Sequence, residues 1–316
     1  MARVSGRDVI YDAAQLWKDE CLIGDGSMFG AGALWTEEHL DELDRHFIQN
    51  PDASSDSFGV KLQRQLDAAS PRARRLAAEL LWVLMLFPIN AGAPAKTRLV
   101  TTAWSWSGNA LDASDDLLVD VFRQGIGSAG TAFMTGRWRE LVFLIRWAQA
   151  IKALAPADRT AVLADPWRTA ELTATVSEAG QRQMRHIVLH LLFPDAFEPI
   201  ASGGNRRQIL AAFQPEIAEA GPPAVPYSDD ATTRADQQLL QIRRVLEARS
   251  PARSATSISA RGWSDGGTWR MRTRPYPWSR SPLRPPWCGK CPARRASGRL
   301  PRVRKDDSGR NSATAA

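Results

Sequence analysis

The most constraining feature of the chain is a long apolar run that follows a clear helix start. Ser70 stands before Pro71, which is a favoured N-cap residue followed by the residue favoured at the first helical position. Every residue from Leu80 to Phe87 is apolar, and Pro88 ends the run. A helix with no polar side has no face to turn toward water. The sequence therefore predicts a central helix over 71–87 with other helices packed around it.

The rest of residues 1–249 also has helical periodicity, and we found no convincing hairpin signal and no internal repeat. We expect Leu16 and Val60 to point inward from their helices, and Asp112 or Ser114 to cap a third. The predicted fold class is all-α, in one packed domain or in two subdomains divided near residues 125–136. The other predicted helices cover 9–22, 37–47, 58–69, a segment ending at 122, 137–154, two short segments from Pro156 and Pro166, 178–193, 204–213 and 230–249.

Charge and composition divide the chain near Arg249. Residues 1–249 hold 26 basic and 31 acidic groups, a net charge of −5, whereas residues 250–316 hold 15 basic and three acidic groups, a net charge of +12. The second part also has eight Pro and only four Ile, Val and Leu residues, too little aliphatic surface to offset the loss of chain entropy. The sequence predicts a folded body over 1–249 and a disordered basic tail over 250–316.

Three interpretations of the tail stay open. Arginines interleaved with Trp suit single-stranded nucleic acid, and such a tail would bind DNA non-specifically through phosphates. The tail could instead be a solvated linker. Its composition is also typical of an out-of-frame product from a GC-rich gene. The apolar runs are too short to span a bilayer and the N-terminus lacks the apolar core of a signal peptide, so we expect a cytoplasmic protein with no membrane contact.

No complete catalytic site or cofactor motif is recognisable. His186 and His190 are four residues apart on a predicted helix, but a third ligand is not marked, so we interpret them as helix-surface or core histidines. Gly24–Gly32 resembles a phosphate-binding loop only superficially and is expected to be a plain connector. Residues 92–97 lack the glycines of a Walker A loop. Cys288 and Cys291 form a lone CxxC, and Cys21 is expected to be a buried thiol.

One segment resembles the region ahead of the ATPase module in McrB-like (5-methylcytosine-specific restriction type) AAA+ proteins. The helix ending in His190-Leu191-Leu192-Phe193-Pro194 is followed by Asp195-Ala196-Phe197-Glu198-Pro199-Ile200-Ala201-Ser202 and then by a basic helix. Residues 17–21, 25–29 and 34–36 also resemble that region, so the likeness extends over 1–249. Two departures stand out: residues 203–205 are Gly-Gly-Asn where basic or His residues are expected, and no AAA+ module follows residue 249.

The resemblance implies a non-catalytic recognition or adaptor region of a restriction or defence protein, truncated before its motor. The alternative is a helical protein-interaction module with no nucleic-acid role, which the net charge of −5 favours. Independently of the family, Pro194 should end one helix and Ser202 should cap the next. Arg206 and Arg207 are expected on the outer side of that second helix, as contacts for a phosphate or a partner carboxylate, with a plain solvated face as the competing interpretation.

Overall fold

The computed structural model describes residues 3–249, and these residues form an all-α fold. Within that range no β-strand occurs. The helices are α1 Asp8–Trp17, α2 Glu37–Leu43, α3 Phe58–Gln65, α4 Pro71–Leu86, α5 Ala93–Ser105, α6 Asp116–Phe122, α7 Gly130–Thr135, α8 Arg137–Lys152, α9 Pro156–Ala164, α10 Pro166–Thr175, α11 Gln183–Leu192, α12 Gly203–Ala212, α13 Gln214–Ala220 and α14 Ala231–Arg249. The predicted fold class is therefore confirmed, while the tail prediction and the CxxC pair lie outside the described residues.

Helix α4 is the central helix that the apolar run predicts. The Ser70 hydroxyl accepts a hydrogen bond from the backbone N–H of Ala73 at 3.1 Å, and Pro71 occupies the first helical position. From Leu76 to Leu86 every residue is buried. Helices α2, α5, α6 and α8 pack around it. Each large aliphatic side chain buried in this way contributes about 1.5–3 kcal/mol.

The hydrophobic packing forms a large main cluster and a small C-terminal one. The main cluster includes residues from α1 through α11, on both sides of residues 125–136. Residues 125–127 are hydrogen-bonded to the end of α4: the N–H of Ile126 donates to the carbonyl of Phe87 at 2.9 Å. The small cluster consists of Ile200, Ile209, Leu239 and Ile242. The C-terminal helices α12–α14 therefore pack on a hydrophobic cluster of their own.

Several local predictions differ from the structure. Leu16 and Val60 are exposed, because Tyr11 rather than Leu16 completes the buried face of α1 and Leu62 lies inward on α3. Helix α6 is capped by Asp115, whose carboxylate accepts from Leu117 N, and not by Asp112 or Ser114. Helices α5, α7 and α13 were not predicted: α5 contains three Thr and lies between glycines, α7 has only six residues, and α13 buries no residue.

Both helices α1 and α2 continue into π-helical turns, over Lys18–Ile23 and Asp44–Ile48. The first of these ends at Gly24, where a Cβ atom would lie 2.6 Å from the carbonyl oxygen of Glu20. Only glycine fits so close to a neighbouring backbone. No helix among the described residues is long and apolar enough to span a membrane.

Candidate functional site

The segment 184–213 forms the helix–turn–helix corner that its sequence predicts. Helix α11 ends at Leu192, two residues before Pro194. The Ser202 hydroxyl then accepts a hydrogen bond from Asn205 N at 3.3 Å and starts α12. Phe197 packs in the main cluster, whereas Ile200 belongs to the small C-terminal cluster. The corner is therefore the joint between the main core and the C-terminal helices.

The structure places the two candidate arginines on different sides of α12. The prediction that Arg206 lies on the outer side is wrong: it is 3% exposed, and its Nε donates to the carbonyl of Ile200 at 2.7 Å. Its guanidinium also forms an ion pair with Asp236 of α14. Arg206 and Ile209, three residues apart, share the buried face of the helix, which leaves Arg207 exposed. The anion-contact role stays a prediction, and in the structure only Arg207 is accessible for it.

Further buried ion pairs surround this joint. The Nε of Arg243 donates to the Glu198 carboxylate at 2.6 Å, which ties α14 to the turn before α12. The guanidinium of Arg185 binds the Asp230 carboxylate and donates to the Thr233 hydroxyl at 2.9 Å. Burial raises the pKa of Glu198 despite its arginine partner. These paired charges link α11 and the turn to α14, so their evident role is structural.

His186 and His190 both lie in the core. Of the two predicted alternatives, helix-surface or core histidines, the second is confirmed. The Nδ1–H of His190 donates to the carbonyl of Phe197 at 2.8 Å, and its Nε2 accepts from the Tyr11 hydroxyl at 2.9 Å. This pattern suits the neutral ring, and burial lowers the pKa of His190 to about 4. Burial also holds the pKa of His186 well below its ordinary value. Residues 3–249 contain no group of three His, Cys, Asp or Glu side chains placed to hold a metal ion.

The glycine-rich loop Gly24–Gly32 binds a carboxylate of the chain itself. The backbone N–H groups of Met28 and Phe29 and the hydroxyl of Ser27 donate to one oxygen of Glu79, in the middle of α4. The indole N–H of Trp35 donates to the other oxygen at 2.6 Å. Burial raises the pKa of Glu79, against the effect of these hydrogen bonds. The segment is a connector, as predicted. The sequence analysis did not predict that it donates hydrogen bonds to Glu79 of α4.

Two further residues singled out by the sequence tests are buried and structural. Lys96, in the Walker-like string, is 1% exposed, donates to the carbonyl of Gln124 at 3.2 Å and lies over the Phe122 ring. Desolvation lowers the pKa of Lys96 to about 8. Cys21 is a buried free thiol, as expected, and burial raises its pKa. Neither side chain is placed to meet a ligand from solvent.

An open concave surface lies between α2 and the start of α4. This α2–α4 pocket has a volume of about 660 Å³. Most of the residues that line it are charged: Glu38, His39, Glu42, Arg45, Ser70, Pro71, Arg72 and Arg75. The sequence carries no motif for it, because its residues come from two separate helix segments that only the tertiary packing brings together.

Comparison with protein-family models, curated proteins and solved structures finds no match to this chain.

Proposed function

We propose that residues 3–249 form a non-catalytic, cytoplasmic recognition or adaptor module of the kind that precedes the motor in McrB-like AAA+ restriction proteins. The observation that carries the proposal is the joint at 184–213. There the segment with the family resemblance connects the main core to α14 through buried ion pairs such as Arg243–Glu198. The same segment leaves Arg207 exposed at the surface of α12.

A second candidate function is a helical protein-interaction module with no nucleic-acid role. Burial of Arg206 favours it, because one of the two candidate phosphate contacts is neutralised internally by Asp236. The net charge of −5 over residues 1–249 favours it as well, since a duplex-binding domain usually presents a basic face. The two candidates differ in what Arg207 should do.

The test measures DNA binding by the full-length chain through the fluorescence anisotropy of a labelled duplex, at about 50 mM and about 200 mM salt. If α12 contributes to recognition, Arg207→Ala weakens binding several-fold at the higher salt. Arg168→Ala is the matched control, because Arg168 is likewise an exposed arginine near the start of a ten-residue helix. Equal affinities for Arg207→Ala and the control at the higher salt, where phosphate binding through residues 250–316 is weakened, would refute nucleic-acid recognition by α12 and leave the protein-interaction candidate.

Any DNA affinity carried by residues 250–316 has a different signature. Binding through flexible arginines to phosphates falls steeply with salt and shows little sequence preference. We expect nearly all of the full chain's DNA affinity to be of this type, and therefore to be similar for unrelated duplexes. Selective binding that resists salt would contradict this expectation.

The family relationship has a separate test in the gene. Translating the DNA beyond codon 249 in the other two frames should reveal an AAA+ module with a Walker A motif shortly downstream, if the out-of-frame interpretation is correct. Frames without such a motif would leave the McrB-like relationship without support, while the binding tests above would still stand.

A further inference from the structure

The α2–α4 pocket holds arginines that are not used elsewhere in the fold. Arg45 and Arg72 are exposed and form no hydrogen bond or ion pair through their side chains within residues 3–249. Arg75 is held in place, since its Nε donates to the Ser107 hydroxyl at 3.3 Å and its guanidinium stacks 5.4 Å from the Trp104 ring centroid. Three guanidinium groups therefore line one concavity, one of them pre-positioned.

The acidic residues of the pocket do not neutralise these arginines. Glu42 binds Ser70: one carboxylate oxygen accepts from the backbone N–H and the other accepts from the hydroxyl at 2.7 Å. No ion pair within the described residues joins Glu38 or Glu42 to Arg45, Arg72 or Arg75, although all five line the pocket. Cationic groups that share a concavity without internal partners leave room for an anion between them.

The start of α4, where Glu42 already binds Ser70, also lies in the pocket lining. Helix α4 has 16 residues, and the positive end of its dipole lies at Ser70 and Pro71, inside the pocket lining. This effect alone would not define a site, because every helix start has it.

His39 supplies the independent observation. The residue is 6% exposed, and its Nδ1 lies 2.9 Å from both the carbonyl oxygen of Leu34 and the hydroxyl oxygen of Thr36, so this nitrogen is used inside the fold. Nε2 has no hydrogen-bond partner within residues 3–249. Because the ring lines the pocket, Nε2 is the nitrogen available to a ligand. A ring nitrogen beside three guanidinium groups is suited to an anion that can either donate or accept a hydrogen bond.

We propose that the α2–α4 pocket binds a small molecule through a phosphoryl group, either inorganic phosphate or a phosphate monoester. The guanidinium groups of Arg45, Arg72 and Arg75 bind the phosphoryl oxygens. A phosphoryl oxygen forms a hydrogen bond with Nε2 of His39. The volume of about 660 Å³ lies within the usual range for small-molecule sites, roughly 300–1,000 Å³. This inference goes beyond the proposed adaptor role and does not depend on it.

The hydrogen bond to Nε2 makes the proposed site selective for phosphate over sulfate. Phosphate and its monoesters have a pKa near neutrality, about 6 for an ester, so they can donate a proton to Nε2 or accept a hydrogen bond from it. Sulfate carries no proton at that pH, so its oxygens can only accept. We therefore expect phosphate to bind more tightly than sulfate at neutral pH, whereas simple attraction by arginines would treat the two anions alike.

The experiment is isothermal titration calorimetry of the full-length chain with inorganic phosphate, sulfate and adenosine 5′-monophosphate. We expect saturable binding of phosphate at one site, at least tenfold weaker in Arg45→Gln/Arg72→Gln. The matched control is Arg98→Gln/Arg168→Gln, which removes two exposed arginines outside the pocket and keeps the rest of the chain, including residues 250–316. Competition between the monophosphate and phosphate indicates an ester ligand; binding of phosphate alone indicates the free ion.

Two results would overturn the proposal: no saturable phosphate binding, or equal binding by the pocket variant and the control variant. Because Arg45 and Arg72 are exposed and make no side-chain contacts within the described residues, both variants should keep the wild-type circular dichroism spectrum and melting temperature. The DNA measurements with Arg207→Ala address a different surface, so failure of either test leaves the other intact.

Discussion

Replacement of Glu79 tests whether the glycine-rich loop is held by the central helix. The Glu79 carboxylate accepts from Met28 N at 3.0 Å, Phe29 N at 3.3 Å, the Ser27 hydroxyl and the Trp35 indole N–H. Glu79→Ala leaves the N–H of Met28 and the buried indole N–H of Trp35 without an acceptor, whereas Phe29 N also donates to the Ser27 hydroxyl oxygen at 3.3 Å. Glu79→Gln keeps one acceptor oxygen for the loop but turns an amide NH₂ toward the indole N–H.

The magnitudes follow from these contacts. A buried donor left without a partner costs about 1–3 kcal/mol, and a hydrogen bond to a charged group is worth about 1.5–3 kcal/mol. Removing the carboxylate also relieves its desolvation, which is the cause of its raised pKa, and this offsets part of the loss. We therefore expect Glu79→Ala to lower the free energy of unfolding by about 2–4 kcal/mol, from the two donors left without an acceptor. Glu79→Gln should cost about 2 kcal/mol.

Urea unfolding followed by tryptophan fluorescence and circular dichroism measures these free energies. Glu171→Ala is the control, because Glu171 is exposed on α10 and its replacement should change stability by less than about 0.5 kcal/mol. In a Trp35→Phe background the cost of Glu79→Gln should fall by about 1 kcal/mol, since the indole donor is absent. The reasoning fails if Glu79→Ala is as stable as the control, or if the Trp35→Phe background leaves the Glu79→Gln cost unchanged.

Three other predictions concern buried charges. Burial lowers the folded-state pKa of His190 to about 4, so the unfolded chain takes up a proton first as the pH falls. His190 should therefore cost about 3 kcal/mol of stability between pH 6.5 and pH 4. The pH dependence of the urea midpoint should be shallower in His190→Gln, with the remainder due to His186, whose pKa is also lowered, and equal slopes in the two proteins would contradict this. Burial lowers the pKa of Lys96 to about 8, so the wild-type free energy of unfolding should rise as the pH increases from 8 toward 10.5. Lys96→Met should lose this pH dependence and be about 1–3 kcal/mol more stable at pH 7, and an unchanged pH dependence would contradict this. Asp236→Ala leaves Arg206 buried without its ion-pair partner and should lower the free energy of unfolding by about 3–5 kcal/mol. Arg207→Ala, at an exposed position, should lower it by less than about 0.5 kcal/mol, and similar melting temperatures for the two variants would argue against the buried pair.

Most of the helices could be predicted from the sequence because the signals that start and stop helices are local. Ser70-Pro71 and Ser202 act on backbone groups two or three residues away, and both caps occur in the structure as expected. The apolar run in α4 leaves no choice of exposed face, so its central position also follows from sequence alone. Division of the chain at Arg249 follows from composition in the same way.

Which side of an amphipathic helix is buried depends instead on the helices that it meets. Arg206 looked like a surface cation, but Asp236 on α14, 30 residues away, provides the internal partner that makes its burial tolerable. Tyr11 replaces Leu16 in the core because its hydroxyl meets His190 across 179 residues. Partners so distant in sequence leave no periodic signal.

The candidate sites also divide into those that the sequence predicts and those that only the tertiary structure shows. That His186 and His190 are structural could be predicted, because a metal site needs further ligands that the sequence does not mark. The α2–α4 pocket could not, since Arg45 and Arg72 become neighbours only when α2 packs against α4. Sequence alone determined an all-α body built from capped helices around α4, because capping and periodicity act within a few residues. Only the tertiary structure decided which charges are paired inside and which remain free to bind, because pairing depends on contacts between helices far apart in the chain.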